Sequence, residues 1–115
     1  MSENAGMPSR GIPGAELYPV LDLVQYQEGS VVSREILKRY TGNVTLFALD
    51  ADQELSEHTS PFDALVQMLE GEAEIVIAGK PLHAKAGELV LMPANQPHAL
   101  KAVSRFKMLL TMIRS

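Results

Sequence analysis

Two of the three histidines in this 115-residue chain sit where chemistry could be done. His58 follows Glu54-Leu55-Ser56-Glu57 and precedes Thr59-Ser60-Pro61-Phe62-Asp63, at the point where one strand should end before the next begins. His98 follows Pro93-Ala94-Asn95-Gln96-Pro97, and the two prolines restrict the backbone on its approach. A rigid approach fixes the direction of an imidazole, as a ligand or acid/base residue requires. A tight turn between strands requires the same restriction. Neutral imidazole binds zinc, copper, iron and nickel, and two histidines with one carboxylate form a three-ligand face that leaves positions open for substrate. Asp63 is the nearest carboxylate candidate, lying just past Pro61. Glu57 is the second, but on an extended strand it points away from its neighbour His58. The third histidine, His83, alternates with Leu82, Ala84 and Ala86, so the apolar set should face the core and His83 the water.

The elements that would hold these residues read as strands, because the apolar period is two and not 3.6. Val31–Arg39, Val44–Leu49, Ala64–Glu70, Glu74–Ala78, Leu82–Ala86, Leu89–Met92, His98–Val103 and Phe106–Ile113 are strand candidates, broken by polar, glycine or proline turns. Tyr18–Tyr26 fits either one helical turn or a short edge strand. The count of eight to ten short strands, with turn signals every 8–12 residues, predicts a sandwich or barrel in one all-β domain. Residues 1–17 are expected to be a flexible tail and 18–115 the barrel domain.

Composition excludes several classes. There is no cysteine, hence no disulfide, thiolate metal cage or cysteine nucleophile. The net charge of −4 argues against nucleic acid, whose phosphates call for a basic footprint. Arg34, Lys38 and Arg39 read as a solvated strand face. No apolar run approaches the ~20 residues that span a bilayer, and nothing near Met1 has the basic flank and apolar run of a secretory signal. The expectation is a cytoplasmic protein with no nucleic-acid or membrane partner.

The last strand carries more. Phe106, Met108, Leu110 and Met112 share one face, while Leu109 and Ile113 lie on the other with Lys107 and Thr111. A strand apolar on both faces is usually covered on both. The second cover in a one-domain barrel is often another subunit, so a homodimer is expected. Met68, Met92, Met108 and Met112 could line an apolar pocket or simply fill the core.

The segment from His58 to Ala102 resembles the cupin superfamily, the double-stranded β-helix or jelly-roll-like barrels. Their first motif reads G-x5-H-x-H-x(3,4)-E-x6-G, and His58, Thr59, Ser60 and Gly71 align to it. Their second reads G-x5-P-x-G-x2-H-x3-N, and Gly87, Pro93 and His98 fall at its spacing. Pro61-Phe62-Asp63-Ala64-Leu65-Val66 and Pro97-His98-Ala99-Leu100 are similar to a group of small bacterial cupins. The resemblance implies the fold. It also implies a metal held by three histidines and a glutamate at the barrel mouth, but this chain departs from that set. Ser60 stands at the second histidine and Ala64 at the glutamate, with Asp52, Asn95 and Ala102 at three further motif positions.

Two functions follow. The first is a binding barrel for a small, mostly apolar ligand, with His58, Ser60, Met92 and His98 as its candidate pocket and a degenerate metal site at its mouth. The second is a metal-dependent enzyme, dioxygenase- or isomerase-like, in which His58, His98 and Asp63 hold zinc, nickel, iron or manganese.

Overall fold

The computed structural model describes residues 11–114, and these form nine strands around one short 3-10 turn, Val20–Asp22. The strands are β1 (Val31–Arg39), β2 (Gly42–Leu49), β3 (Glu54–His58), β4 (Asp63–Glu70), β5 (Glu72–Ile77), β6 (Lys80–Lys85), β7 (Leu89–Met92), β8 (His98–Ala102) and β9 (Phe106–Ile113). They make two antiparallel sheets, one ordered β1-β2-β9-β4-β7 and the other β3-β8-β5-β6. This is an all-β fold as expected from the alternation, and the jelly-roll-like barrel that the cupin resemblance implies. No helix among the described residues is long and apolar enough to cross a membrane. Residues 1–10 of the expected tail lie outside the described residues. From 11 to 17 the chain has no strand or helix, and the Ile12 amide donates to the Ile36 carbonyl on β1 at 3.0 Å.

Inward-facing residues of both sheets build the main core. Phe106, Leu49, Ile75, Met108 and Val66 are fully buried there, with Ala73, Ala102, Leu100, Met68 and Met92 around them. Each large apolar side chain buried in this way contributes about 1.5–3 kcal/mol from lost water contact. The four methionines named from the sequence all point into this core or pack against it.

A second, smaller cluster lies on the outer face of the five-stranded sheet. Val24, Leu23 and Tyr26 from the N-terminal segment cover Leu46, Ala48 and Leu109. Part of the outer face of β9 is therefore covered by the chain itself. The ambiguous Tyr18–Tyr26 stretch is a strap crossing the sheet, with its single turn at Val20–Asp22. Its anchor is polar. The Tyr26 hydroxyl donates to Glu70 Oε2 at 2.6 Å, and the buried Lys107 Nζ donates to the Leu21 carbonyl at 2.6 Å. Arg105 and Lys107 stand 4.9 and 5.0 Å from the centre of the Tyr26 ring. Burial first, and then the bond to Glu70, raise the phenol pKa and keep it protonated.

One strand was marked in the sequence only by its end at His58. Glu54–His58 is mostly exposed and polar, as suits an edge strand, and shows little of the alternation that marks a half-buried one. Among the described residues it pairs only with β8, and that pairing aligns the two histidines.

Candidate functional site

The register between β3 and β8 sets His58 opposite His98, with an irregularity between Leu55 and His58. Ile77 of β5 flanks His98 on its other side. His98 opens β8 directly after Pro97, whose carbonyl accepts the Ala78 amide at 2.8 Å. The stiff Pro93–Pro97 turn is thereby pinned to β5, and the imidazole that follows has little freedom. His98 is 4% exposed, whereas His58 is open to solvent.

The two rings meet edge to face, centroids 4.4 Å apart and planes at 71°. Their Nε2 atoms are 3.1 Å apart, so one ring donates and the other accepts. The backbone assigns the roles. His58 Nδ1 lies 2.8 Å from the Ser56 carbonyl, which can only accept, so His58 carries its proton on Nδ1 and its Nε2 is the acceptor. His98 then donates from Nε2 to His58, and its own Nδ1 lies 3.3 Å from the Gln96 carbonyl, the longer of the two backbone contacts. The result is one N–H donor beside one nitrogen acceptor.

Burial pushes the His98 pKa below its ordinary 6.5, the neighbouring His58 pushes the same way, and the Gln96 carbonyl opposes them. Because the folded pKa is depressed, the unfolded chain binds this proton more readily. The stability that His98 contributes is whole above pH ~6.5 and is lost as the pH falls below that toward the folded pKa. The expected result is a melting temperature that drops on acidification from pH 7.5 to 5. The drop should be shallower in His98→Gln. Equal slopes for the two proteins would contradict the buried neutral assignment.

The other residues expected at the site lie on the inner wall and in the loops around it. Met92 is buried on the inner face of β7, opposite Ala64. The Ser60 hydroxyl accepts the Phe62 amide at 3.1 Å, and its carbonyl accepts the Asn95 amide at 2.7 Å. It therefore ties the loop after β3 to the loop after β7 and shapes the rim. Asp63 starts β4 in unbroken register, paired with Ile113 as Ala64 is with Met112. No bulge rotates it, so it stays on the face opposite Ala64, where its Oδ1 accepts the Ala94 amide at 2.9 Å. His83 is exposed and bonds Glu72 Oε1 at 2.9 Å, as a water-facing residue can.

Sequence reading missed the rim's aromatic side. Arg114 stands 5.3 Å from the Tyr40 ring centre and 5.9 Å from that of Phe62. Neither aromatic belongs to a recognisable motif. Only the alternation that aligns Arg114 with inward-facing Met112 could have pointed to this end of the barrel.

A metal's requirements can be set against this donor set. Nitrogens bound at about 2.0–2.1 Å to one ion stand roughly 3 Å apart in adjacent positions, so the 3.1 Å pair meets the spacing. It does not meet the number. Among the described residues no three of His, Asp and Glu come together to hold an ion, and Asp63 is engaged at the rim. At position 64 an alanine sits between Met92 and Met112. The residues present do not fit a tightly held resident metal.

Comparison with known proteins agrees with the architecture. The sequence model for the Cupin domain matches residues 45–114. A conserved protein of unknown function from Streptococcus pyogenes is similar at 36% identity, over 92% of this chain and 93% of that one, with a TM-score of 0.87. A cupin superfamily protein from Desulfitobacterium hafniense shares the fold at 24% identity and TM-score 0.85, over 92% and 97%. A Cupin 2 conserved barrel domain protein from Leptotrichia buccalis is 36% identical, with a TM-score of 0.82. It matches 84% of this chain, which spans 47% of that one. No curated protein matches.

Proposed function

We propose, for a chain that belongs to the Cupin domain family, that it is a binding barrel whose ligand is a small, largely apolar molecule bearing one hydroxyl, amide or carboxylic acid group. The observation that carries this reading is the His58–His98 pair, a donor and an acceptor 3.1 Å apart at one end of an apolar barrel. A hydroxyl can accept from one ring and donate to the other. An amide or an un-ionised acid offers the same two functions on neighbouring atoms. Either would replace the bond the rings make with each other, so the buried His98 keeps a partner when the ligand arrives. Apolar contact with Phe62 and Met92 at the rim and inner wall would supply the rest of the affinity.

The test is a thermal-shift screen of small hydroxylated, amide and acid compounds. Hits should stabilise the native chain, and His58→Ala should lose most of that shift. His58 is exposed, so its removal leaves the core intact. A loss of roughly 1–3 kcal/mol in binding is expected when one hydrogen-bonding partner is taken away. Hits that bind His58→Ala and His98→Gln as well as the native chain would overturn the reading.

A further inference from the structure

One side of the barrel rim is basic. Arg114 directly follows β9, and its amide donates to the Thr41 carbonyl in the β1–β2 turn at 2.8 Å. The ladder thus holds its backbone one residue past Ile113. Alternation puts Arg114 on the face of Leu110 and Met112, which pack against the inner core. Phe62, two residues before the buried Ala64, falls on the same inner face. The Arg114 guanidinium stands between two rings, 5.3 Å from the centre of Tyr40 and 5.9 Å from that of Phe62. Lys38 lies one row further in, since it pairs with Asn43 and Asn43 with Met112.

The fold itself does not call for a cation here. Arg114 is exposed, and no carboxylate among the described residues pairs with it. The two rings engage its charge through their faces, which leaves its N–H donors to bond something else. Ring contacts of this kind also hold the head of a long side chain in place, so an anion can be bound without first ordering the arginine. One guanidinium fork matches one carboxylate, through two parallel N–H···O bonds. The position suits the histidine site. Residues 59–62 join His58 to β4, which sets the Phe62 ring beside the same opening. His58 and His98 belong to the four-stranded sheet, and Arg114 ends a strand of the five-stranded one. Facing sheets stand about 10 Å apart, and imidazole and guanidinium each reach in from their own side, so a molecule of roughly four to eight carbons touches both.

We propose that Arg114 is the anion-binding residue of this barrel, so that the ligand carries a carboxylate, bound at the rim between Tyr40 and Phe62, besides the hydroxyl or amide that meets the histidines. The ligand class narrows to small hydroxy- or amido-carboxylates. The proposal rests on the reading of the His58–His98 pair as the ligand's other polar contact.

Calorimetric titration with hydroxy acids of roughly four to eight carbons, each run beside its own primary amide, tests it. The native chain should bind the carboxylate roughly 10- to 100-fold more tightly than the matching amide. Arg114→Gln should abolish that preference, weakening the carboxylate by the same factor and leaving the amide within about 2-fold. Arg114→Lys keeps the charge but not the fork, and should fall between the two. Added salt should weaken the carboxylate and spare the amide. His58→Ala should weaken both members of a pair alike. Arg114 is exposed, so both of its variants should melt near the native temperature, and a lost preference is then not a lost fold. The proposal is overturned if the native chain binds amide as tightly as acid, if no acid of the series binds at about 10 mM, or if Arg114→Gln keeps the preference. Carboxylate binding that needs Arg114 but is indifferent to His58→Ala would support the anion site and overturn the histidine reading instead.

Discussion

Gly71→Ala is expected to cost the protein at least about 3 kcal/mol, out of the ~5–15 that a domain of this size has in total. Gly71 joins β4 to β5, the point where the chain leaves one sheet for the other. Its φ is +79°, a region that costs an L-residue roughly 1–3 kcal/mol. The larger problem is space. A Cβ at this position would overlap the carbonyl oxygen and carbon of Arg105 and press on the Cα of Phe106. These are backbone atoms at the start of β9, the central strand of its sheet, and Phe106 behind them is fully buried. They cannot swing aside as a side-chain tip could. Gly79 supplies the control. Its φ is +81°, but a Cβ there meets nothing within 4 Å. Urea unfolding of the two alanine variants separates conformational strain from close approach. Gly79→Ala should show the strain alone. If the two losses agree within about 1 kcal/mol, the tight crossing of this turn over β9 is not what requires glycine.

The second large effect concerns metal. The native chain should retain well under one equivalent of zinc, nickel, iron or manganese after dialysis, because two imidazoles without a third ligand hold an ion weakly. The cupin pattern places further ligands at positions 60 and 64, occupied here by Ser60 and Ala64. Ser60→His with Ala64→Glu should raise affinity at least about 100-fold, with the His58–His98 spacing already suitable for an ion. Without metal the same variant should be less stable than the native chain. Ala64 is 1% exposed, so a carboxylate there is buried and crowds Met92 and Met112. Metal should then restore melting temperature as well as appear in the elemental analysis. Stoichiometric metal in the native chain would contradict the account of the donor set, and an inert double variant would place the mouth elsewhere.

Much of the fold was legible because its strands alternate against one core. The stretches from Val44, Ala64, Leu89, His98 and Phe106 are apolar at every second residue, and each forms a strand within a residue or two of the expected bounds. Of Glu54–His58 only the end at His58 was legible, since an edge strand open to water needs no apolar face. The Tyr18–Tyr26 stretch stayed ambiguous because its burial depends on Leu46 and Leu109, far along the chain. The site divides in the same way. His58 and His98 stood out by their turn contexts and do meet. That Asp63 would not join them rests on whether a bulge interrupts β4, and only the register with β9 and β7 answers that. The polarity of the pair, donor on His98 and acceptor on His58, depends on two backbone carbonyls, Ser56 and Gln96, which no motif records.

The central claim is that the His58–His98 pair receives the polar group of a small ligand. Long-range nitrogen–proton NMR of the imidazoles, followed while a compound from the thermal-shift screen is added, tests it most directly. The free protein should give a proton on Nδ1 of His58 and on Nε2 of His98. Added ligand should move both sets of signals together and leave the water-facing His83 unchanged. Saturating ligand that leaves the His58 and His98 nitrogens where they were would contradict the claim.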